Sequence, residues 1–176
     1  MLYLIGFMGV GKTTIGKKIA KHYNVNFFDT DKGIEELANN NTLNIFHENG
    51  EAYYRILESK ILKIIPKKSI VACGGGLPAF NKNMDFIKAT GSSIYLKASK
   101  ESIFNRLSGN LKTRPLVKGK TPQELKNFIK TNLKKREIYY RLADYTINTS
   151  GLSEQEVLAK INRLILSIQN NSNILL

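Results

Sequence analysis

Five short runs of strand-forming residues punctuate the chain, at Leu2–Ile5, Asn26–Phe28, Ser69–Ala72, Ser92–Leu96 and Tyr145–Asn148. Between them, apolar positions recur three and four residues apart. Helices are therefore predicted near 14–23, 31–39, 43–49, 51–65, 81–89, 99–108, 122–141 and 153–169. Ile15, Ile19 and Ala20 form the apolar face of the first. Two helix starts are signalled directly: Thr121-Pro122-Gln123-Glu124 and Ser153-Glu154-Gln155-Glu156 each read as a capping box, the former with proline at the first helical position. Regular alternation of strand and helix argues for an α/β fold, a parallel sheet with helices on both faces. Ligands of such sheets bind at the carboxyl ends of the strands, so the residues just after each strand are where chemistry is expected. The tail Asn170–Leu176 is expected to fray.

The first strand runs straight into Gly6-Phe7-Met8-Gly9-Val10-Gly11-Lys12-Thr13-Thr14. This is the G-x-x-x-x-G-K-[ST] pattern in the setting it requires, between a strand and a helix. The glycines let consecutive N–H groups turn inward on phosphate oxygens, and the helix adds the positive end of its dipole. Lys12 can reach β- and γ-phosphates, and the Thr13 hydroxyl is placed to ligate Mg2+. The chain is expected to bind a nucleoside triphosphate.

The other strand ends carry further candidates. Asp29-Thr30-Asp31 follows the second strand. One carboxylate can hold Mg2+ water while the other accepts a hydrogen bond from a substrate hydroxyl; the alternative is that Asp29 or Thr30 caps the next helix. Cys73-Gly74-Gly75-Gly76 follows the third strand. Three glycines in a row are costly to order unless the backbone must approach a ligand closely, a plain turn being the alternative. Arg55, Arg114 and Arg136 stand apart from a background of lysines, and a planar guanidinium suits carboxylate or phosphate. Each could equally be a solvated or ion-paired surface residue. Arg114 lies in the polar basic loop Leu111–Lys120, the best candidate for a mobile lid. His22 and His47 have no partners at metal-ligand or triad spacing.

Composition changes this picture little. A chain of 176 residues, 42% hydrophobic, fits one compact domain. Cys73 is the only cysteine, which excludes an intramolecular disulfide and fits a reducing compartment; it reads as a buried small residue, not a nucleophile. The apolar runs are far too short for a membrane span, the N-terminus lacks the basic region of a signal peptide, and a cytoplasmic location is expected. The net charge of +13 raises the question of nucleic acid. The lysines are scattered over solvated helix faces, with no long basic run interleaved with aromatics. No nucleic-acid partner is expected, and the positive field serves small anions instead.

Taken in order, the phosphate loop, Asp29-Thr30-Asp31, Phe46…Gly50-Glu51…Tyr54-Arg55…Glu58, Gly74-Gly75-Gly76, Arg114-Pro115-Leu116 and Arg136…Tyr140…Ala143-Asp144 resemble the shikimate kinase family, over almost the whole chain. The resemblance implies a single domain, 1–176, with the three-layer fold of nucleoside monophosphate kinases and five parallel strands in the order 2-3-1-4-5. It implies transfer of the γ-phosphate of ATP to the 3-hydroxyl of shikimate with Mg2+, by a monomeric or weakly associating enzyme. By the same similarity Gly9, Val10, Gly11, Lys12, Thr13 and Thr14 would bind ATP phosphates, with Arg106 against adenine. Thr13 would hold the metal directly and Asp29 through water. Asp31 would bind shikimate hydroxyls and act as base; Arg55, Arg136 and the triglycine Gly74, Gly75 and Gly76 would hold the acceptor, Glu58 orienting Arg55. Arg114 would be the lid arginine, Lys12 and Arg114 sharing the catalytic work with Asp31. The acceptor-binding helical segment would span about 31–62 and the lid about 109–120. Three departures stand out. Tyr53-Tyr54-Arg55 replaces the usual phenylalanine-arginine pair. Arg136-Glu137-Ile138-Tyr139-Tyr140 lacks the usual proline, leaving Lys135 and Arg141 as neighbouring cations. Cys73 stands where threonine is common. A gluconate kinase of the same fold is the alternative.

Overall fold

A computed structural model of the chain describes residues 1–109 and 115–171. Its five strands are β1 (Leu2–Ile5), β2 (Asn26–Asp29), β3 (Ser69–Ala72), β4 (Ser92–Lys97) and β5 (Tyr145–Asn148), each within a residue or so of expectation. They form one all-parallel sheet in the order β2-β3-β1-β4-β5. All four residues of β1 and of β3 are buried, as required of central strands covered on both faces.

The helices are α1 (Lys12–Tyr23), α2 (Thr30–Ala38), α3 (Thr42–Ile64), α4 (Asn83–Thr90), α5 (Lys100–Ser108), α6 (Pro122–Tyr140) and α7 (Glu154–Asn171). Right-handed crossovers place α1 on one face of the sheet, where α7 packs against it, and α4, α5 and α6 on the other. The two predicted helices 43–49 and 51–65 are the halves of α3, which breaks at Gly50 (φ 79°, ψ 173°). Only glycine adopts that conformation without strain, and the break re-aims the half that carries Arg55. Both capping boxes form. Thr121 Oγ1 accepts from Glu124 N while Thr121 N donates to the Glu124 carboxylate, and Ser153 and Glu156 repeat the arrangement. The helix α7 continues to Asn171, past the point where fraying was expected, and the tail beyond it lies outside the described residues.

The main core gathers both faces of the sheet, with Tyr3, Leu4, Ile5, Ile70, Val71 and Ile94 at its centre. A second, smaller cluster of Ile34, Ile45, Tyr54, Leu57 and Ile61 joins α2 to α3. This core stiffens the segment between β2 and β3, and Phe28 of β2 joins it to the main core. No helix among the described residues is long and apolar enough to cross a membrane.

Candidate active site

The loop after β1 reaches α1 through Gly11, whose φ of 99° is left-handed and lets the helix begin directly under the loop. Lys12 is 9% exposed and its Nζ donates to the carbonyls of Gly6 (2.8 Å) and Phe7 (2.9 Å), so the ammonium lies inside the curl of the loop. The Thr13 hydroxyl donates to Asp29 Oδ2 at 2.7 Å. Asp29 Oδ1 meanwhile accepts from the backbone N–H of Asp31 (3.1 Å) and Lys32 (3.4 Å). One oxygen of Asp29 therefore caps α2, while the other faces the phosphate loop. Thr30, between the two aspartates, is buried and its Oγ1 accepts from Gly74 N at 2.7 Å, which ties the end of β2 to the triglycine.

The triglycine makes room for the site's own side chains. A Cβ on Gly74 would collide with Asp31 Oδ1, and one on Gly76 would lie 2.9 Å from Arg55 Cζ. Gly75 faces Met8 N and Arg136 Nη1. Its carbonyl accepts a hydrogen bond from the buried Tyr140 hydroxyl. Close approach was the expected reason for three glycines, but what approaches here is an aspartate and two arginines belonging to the protein.

Arg55 is 8% exposed and held from two sides. Its Nη1 meets Glu58 Oε2 at 2.8 Å, its Nη2 meets Glu51 Oε1 at 2.6 Å, and its guanidinium lies 4.1 Å from the centre of the Phe80 ring. Glu58 is only 1% exposed. Burial pushes its carboxyl up to about 7, outweighing the opposing pull of Arg55. Arg55 is itself shifted up: burial works against its charge, and Glu58 and Glu51 more than offset that. The guanidinium thus stays charged, and what titrates in the pair is the carboxyl. Asp31 is reached by solvent although protein surrounds it. Burial and then Asp29 raise its carboxyl, against Lys12 and the Tyr54 hydroxyl. Water at the mouth makes that rise smaller than full enclosure would give. Cys73 is buried and its thiol is pushed up by burial, consistent with a packing residue.

Three spaces line up along the strand ends. One of about 300 Å³ lies between Gly9, Thr14, Thr149 and Leu152, where Arg106 donates to the carbonyls of Val10 and Thr149. The next, of about 110 Å³, is bounded by Lys12, Thr13 and Asp29. The third, of about 240 Å³, is lined by Phe46, Tyr54, Arg55, Glu58, Leu116 and Arg136. Gly9, Gly11 and Thr14 border the first and second; Met8, Asp31 and Gly75 border the second and third. Of Lys135, Arg136 and Arg141, Arg136 is the one that lines the third space, whereas Arg141 bonds Glu137 and Lys135 is exposed. Arg114 and residues 110–113 of the expected lid lie outside the described residues.

The family model described as shikimate kinase matches residues 8–166. The chain belongs to the shikimate kinase family. A shikimate kinase of Azobacteroides pseudotrichonymphae is 38% identical over 163 residues, covering 91% of this chain and 96% of that protein. Among solved structures, the shikimate kinase of Bacteroides thetaiotaomicron superposes with a TM-score of 0.87 at 34% identity, over 93% of this chain and 97% of that one. The shikimate kinase of Acinetobacter baumannii in complex with shikimate gives 0.85 at 34% identity, over 94% and 92%. The alternative of a gluconate kinase is thereby set aside, and the fold and strand order implied by resemblance are those observed.

Several residues that shape the site of this kinase were missed in the sequence. Glu58 was expected to orient Arg55, but the second clamp was not: Glu51 lies four residues before Arg55 on the same helix face, a spacing that could have revealed it. The Thr30 bridge, the Phe80 platform and the Tyr54 hydroxyl depend on long-range packing that spacing does not encode.

Two outcomes follow from this geometry. Gly76→Ala should displace Arg55 and raise the KM for the acceptor about tenfold or more while leaving the KM for ATP near its starting value; equal effects on both would place Gly76 outside the acceptor recess. A carboxyl raised from 4.5 to about 7 favours the folded state when protonated, so its contribution is present below 4.5 and is lost as pH rises through about 7. The Tm of the ligand-free wild type, relative to that of Glu58→Gln, should fall across that window. A relative rise would mean that pairing with Arg55 outweighs burial.

Proposed function

We infer that the chain transfers the γ-phosphate of ATP to the 3-hydroxyl of shikimate, giving shikimate 3-phosphate and ADP in the synthesis of aromatic amino-acid precursors. The observation that carries this reading is the shared border of the second and third spaces. Asp31 and Gly75 face the phosphate loop on one side and the arginine-walled recess on the other. A donor phosphate and an acceptor hydroxyl would meet there with no gap to cross.

The three spaces take the nucleoside, the phosphates and the acceptor in turn. Gly9 to Thr14 surround the phosphates with backbone N–H groups, and Lys12 places its charge among them. Arg106 donates to the backbone carbonyls of Val10 and Thr149, two residues that line the nucleoside space. In the recess Arg55 and Arg136 grip the acceptor carboxylate, and Asp31 takes the hydroxyls of its ring. The recess suits a small polyhydroxy acid, since it opposes two guanidinium groups to the carboxyls of Asp31, Glu35 and Glu58.

The residues present fit Mg2+. A hydroxyl and a carboxylate stand 2.7 Å apart at the edge of the phosphate space, a hard-oxygen pair of the kind this ion takes together with phosphate oxygens and water. Thr13 would hold it directly and Asp29 through water. Bound there, Mg2+ supplies neutralisation of charge on the phosphate oxygens. Asp31 then accepts the proton of the attacking hydroxyl, and positioning does most of the remaining work. Arg114 is assigned to the lid on sequence grounds; Leu116, just beyond it, already lines the recess. A cytoplasmic location accords with a lone buried cysteine.

A coupled ADP-release assay tests the reading. Turnover should require both shikimate and Mg2+, and Asp31→Asn should lower kcat by about 100-fold or more with the fold intact by circular dichroism. Turnover indifferent to shikimate, or near-normal kcat in that variant, would contradict it.

A further inference from the structure

Tyr54 stands out among residues for which the mechanism above has no use. It is 3% exposed, in the small core between α2 and α3, and its ring is well accounted for. Phe46 stacks on it at 4.5 Å between centroids, and the Arg55 guanidinium lies 5.8 Å from its centre. Those contacts need a ring and nothing more. The hydroxyl is a separate matter, because a buried phenol must find a hydrogen-bond partner or lose the one it had in water. Its hydrogen goes to Asp31 Oδ1, at 3.1 Å, with the Thr42 side chain also within reach.

The same oxygen is the one that Gly74 makes room for. A Cβ at Gly74 would collide with Asp31 Oδ1, so Oδ1 is pressed against the triglycine backbone on one side and bonded to Tyr54 on the other. Packing against Gly74 fixes how far the carboxylate can swing toward β3. It does not fix rotation of the carboxylate plane; a directional bond to one named oxygen does. With Oδ1 committed, Oδ2 is the oxygen left to receive a proton from the acceptor.

We propose that Tyr54 is a positioning residue for phosphoryl transfer, its hydroxyl holding Asp31 Oδ1 so that Oδ2 is turned toward the acceptor hydroxyl. The proposal rests on the shikimate kinase reading and on Asp31 as proton acceptor. It differs from a packing role in what it predicts. Orientation of a base matters most as the proton moves, whereas the acceptor's carboxylate is gripped by Arg55 and Arg136 whether or not Asp31 is aimed. Loss of the hydroxyl should therefore show in kcat and spare ground-state binding.

The test is Tyr54→Phe, which keeps the ring, its stacking on Phe46 and its contact with Arg55. Its kcat with shikimate should fall about tenfold, the scale of one lost hydrogen bond to a charged group, while the KM for shikimate stays within about twofold. Introduced into the Asp31→Asn background, the same change should alter the residual kcat by less than about twofold, since its effect runs through that carboxylate. An unchanged kcat, a rise in KM without a fall in kcat, or a full tenfold loss in the Asp31→Asn background would each overturn the proposal. A lowered Tm with unchanged kinetics would do the same, leaving Tyr54 a packing residue. Wild-type turnover of shikimate in the same assay separates these results from a failure of the functional reading itself, which would show as no turnover in either protein.

Discussion

An arginine withdrawn from water costs several kcal/mol unless its charge and its donors are met, and the acceptor side of this protein is organised around meeting them for Arg55. The helix α3 supplies both carboxylates, Glu51 one turn before and Glu58 one turn after, and Phe80 supplies a face for the guanidinium. The remaining requirement is space, which Gly76 provides by having no side chain. Once Arg55 is fixed, the floor of the recess is fixed with it. Glu58 must then be buried, the loop after β3 must run close by, and Gly74 on that loop brings Asp31 into the same small volume. The glycine break at position 50 belongs to the same constraint, because it sets the direction of the half-helix that carries all three charged residues.

The donor side is built differently. Its loop takes its conformation from the backbone, and the Lys12 ammonium donates to two carbonyls of that loop. The two halves meet at Asp29-Thr30-Asp31, where three consecutive side chains have three addresses: the phosphate loop, the triglycine and the acceptor recess. A small movement of β2 would therefore disturb donor and acceptor geometry together. The separate core of α2 and α3 guards against such movement from one side, and the pairing of β2 with β3 from the other.

Much of this was legible in the sequence, for identifiable reasons. Buried parallel strands leave apolar runs such as Leu2–Ile5, and capping boxes such as Thr121–Glu124 leave a local signature, so element positions were readable. The phosphate loop was readable because its backbone conformation demands glycine at fixed places. The ordered motifs singled out Asp31, Arg55 and Arg136, all of which line the recess. What spacing could not disclose was which atoms meet across the sheet. Thr30 was a candidate cap for the next helix, yet Asp29 takes that place and the Thr30 hydroxyl anchors the triglycine. The triglycine suggested close approach of the backbone to a ligand, yet its lack of side chains accommodates Asp31 and Arg55. Tyr54 was legible only as a departure from the usual phenylalanine, and only the fold shows its hydroxyl on the carboxylate.

The central claim is that donor and acceptor occupy one continuous site whose junction is Asp31. A crystal structure with Mg2+, a non-hydrolysable ATP analogue and shikimate tests it most directly. The acceptor carboxylate should lie between Arg55 and Arg136, with its 3-hydroxyl in hydrogen-bond reach of Asp31 Oδ2 and facing the terminal phosphate. Shikimate bound elsewhere, or seated in the recess with its 3-hydroxyl turned away from Asp31, would contradict it.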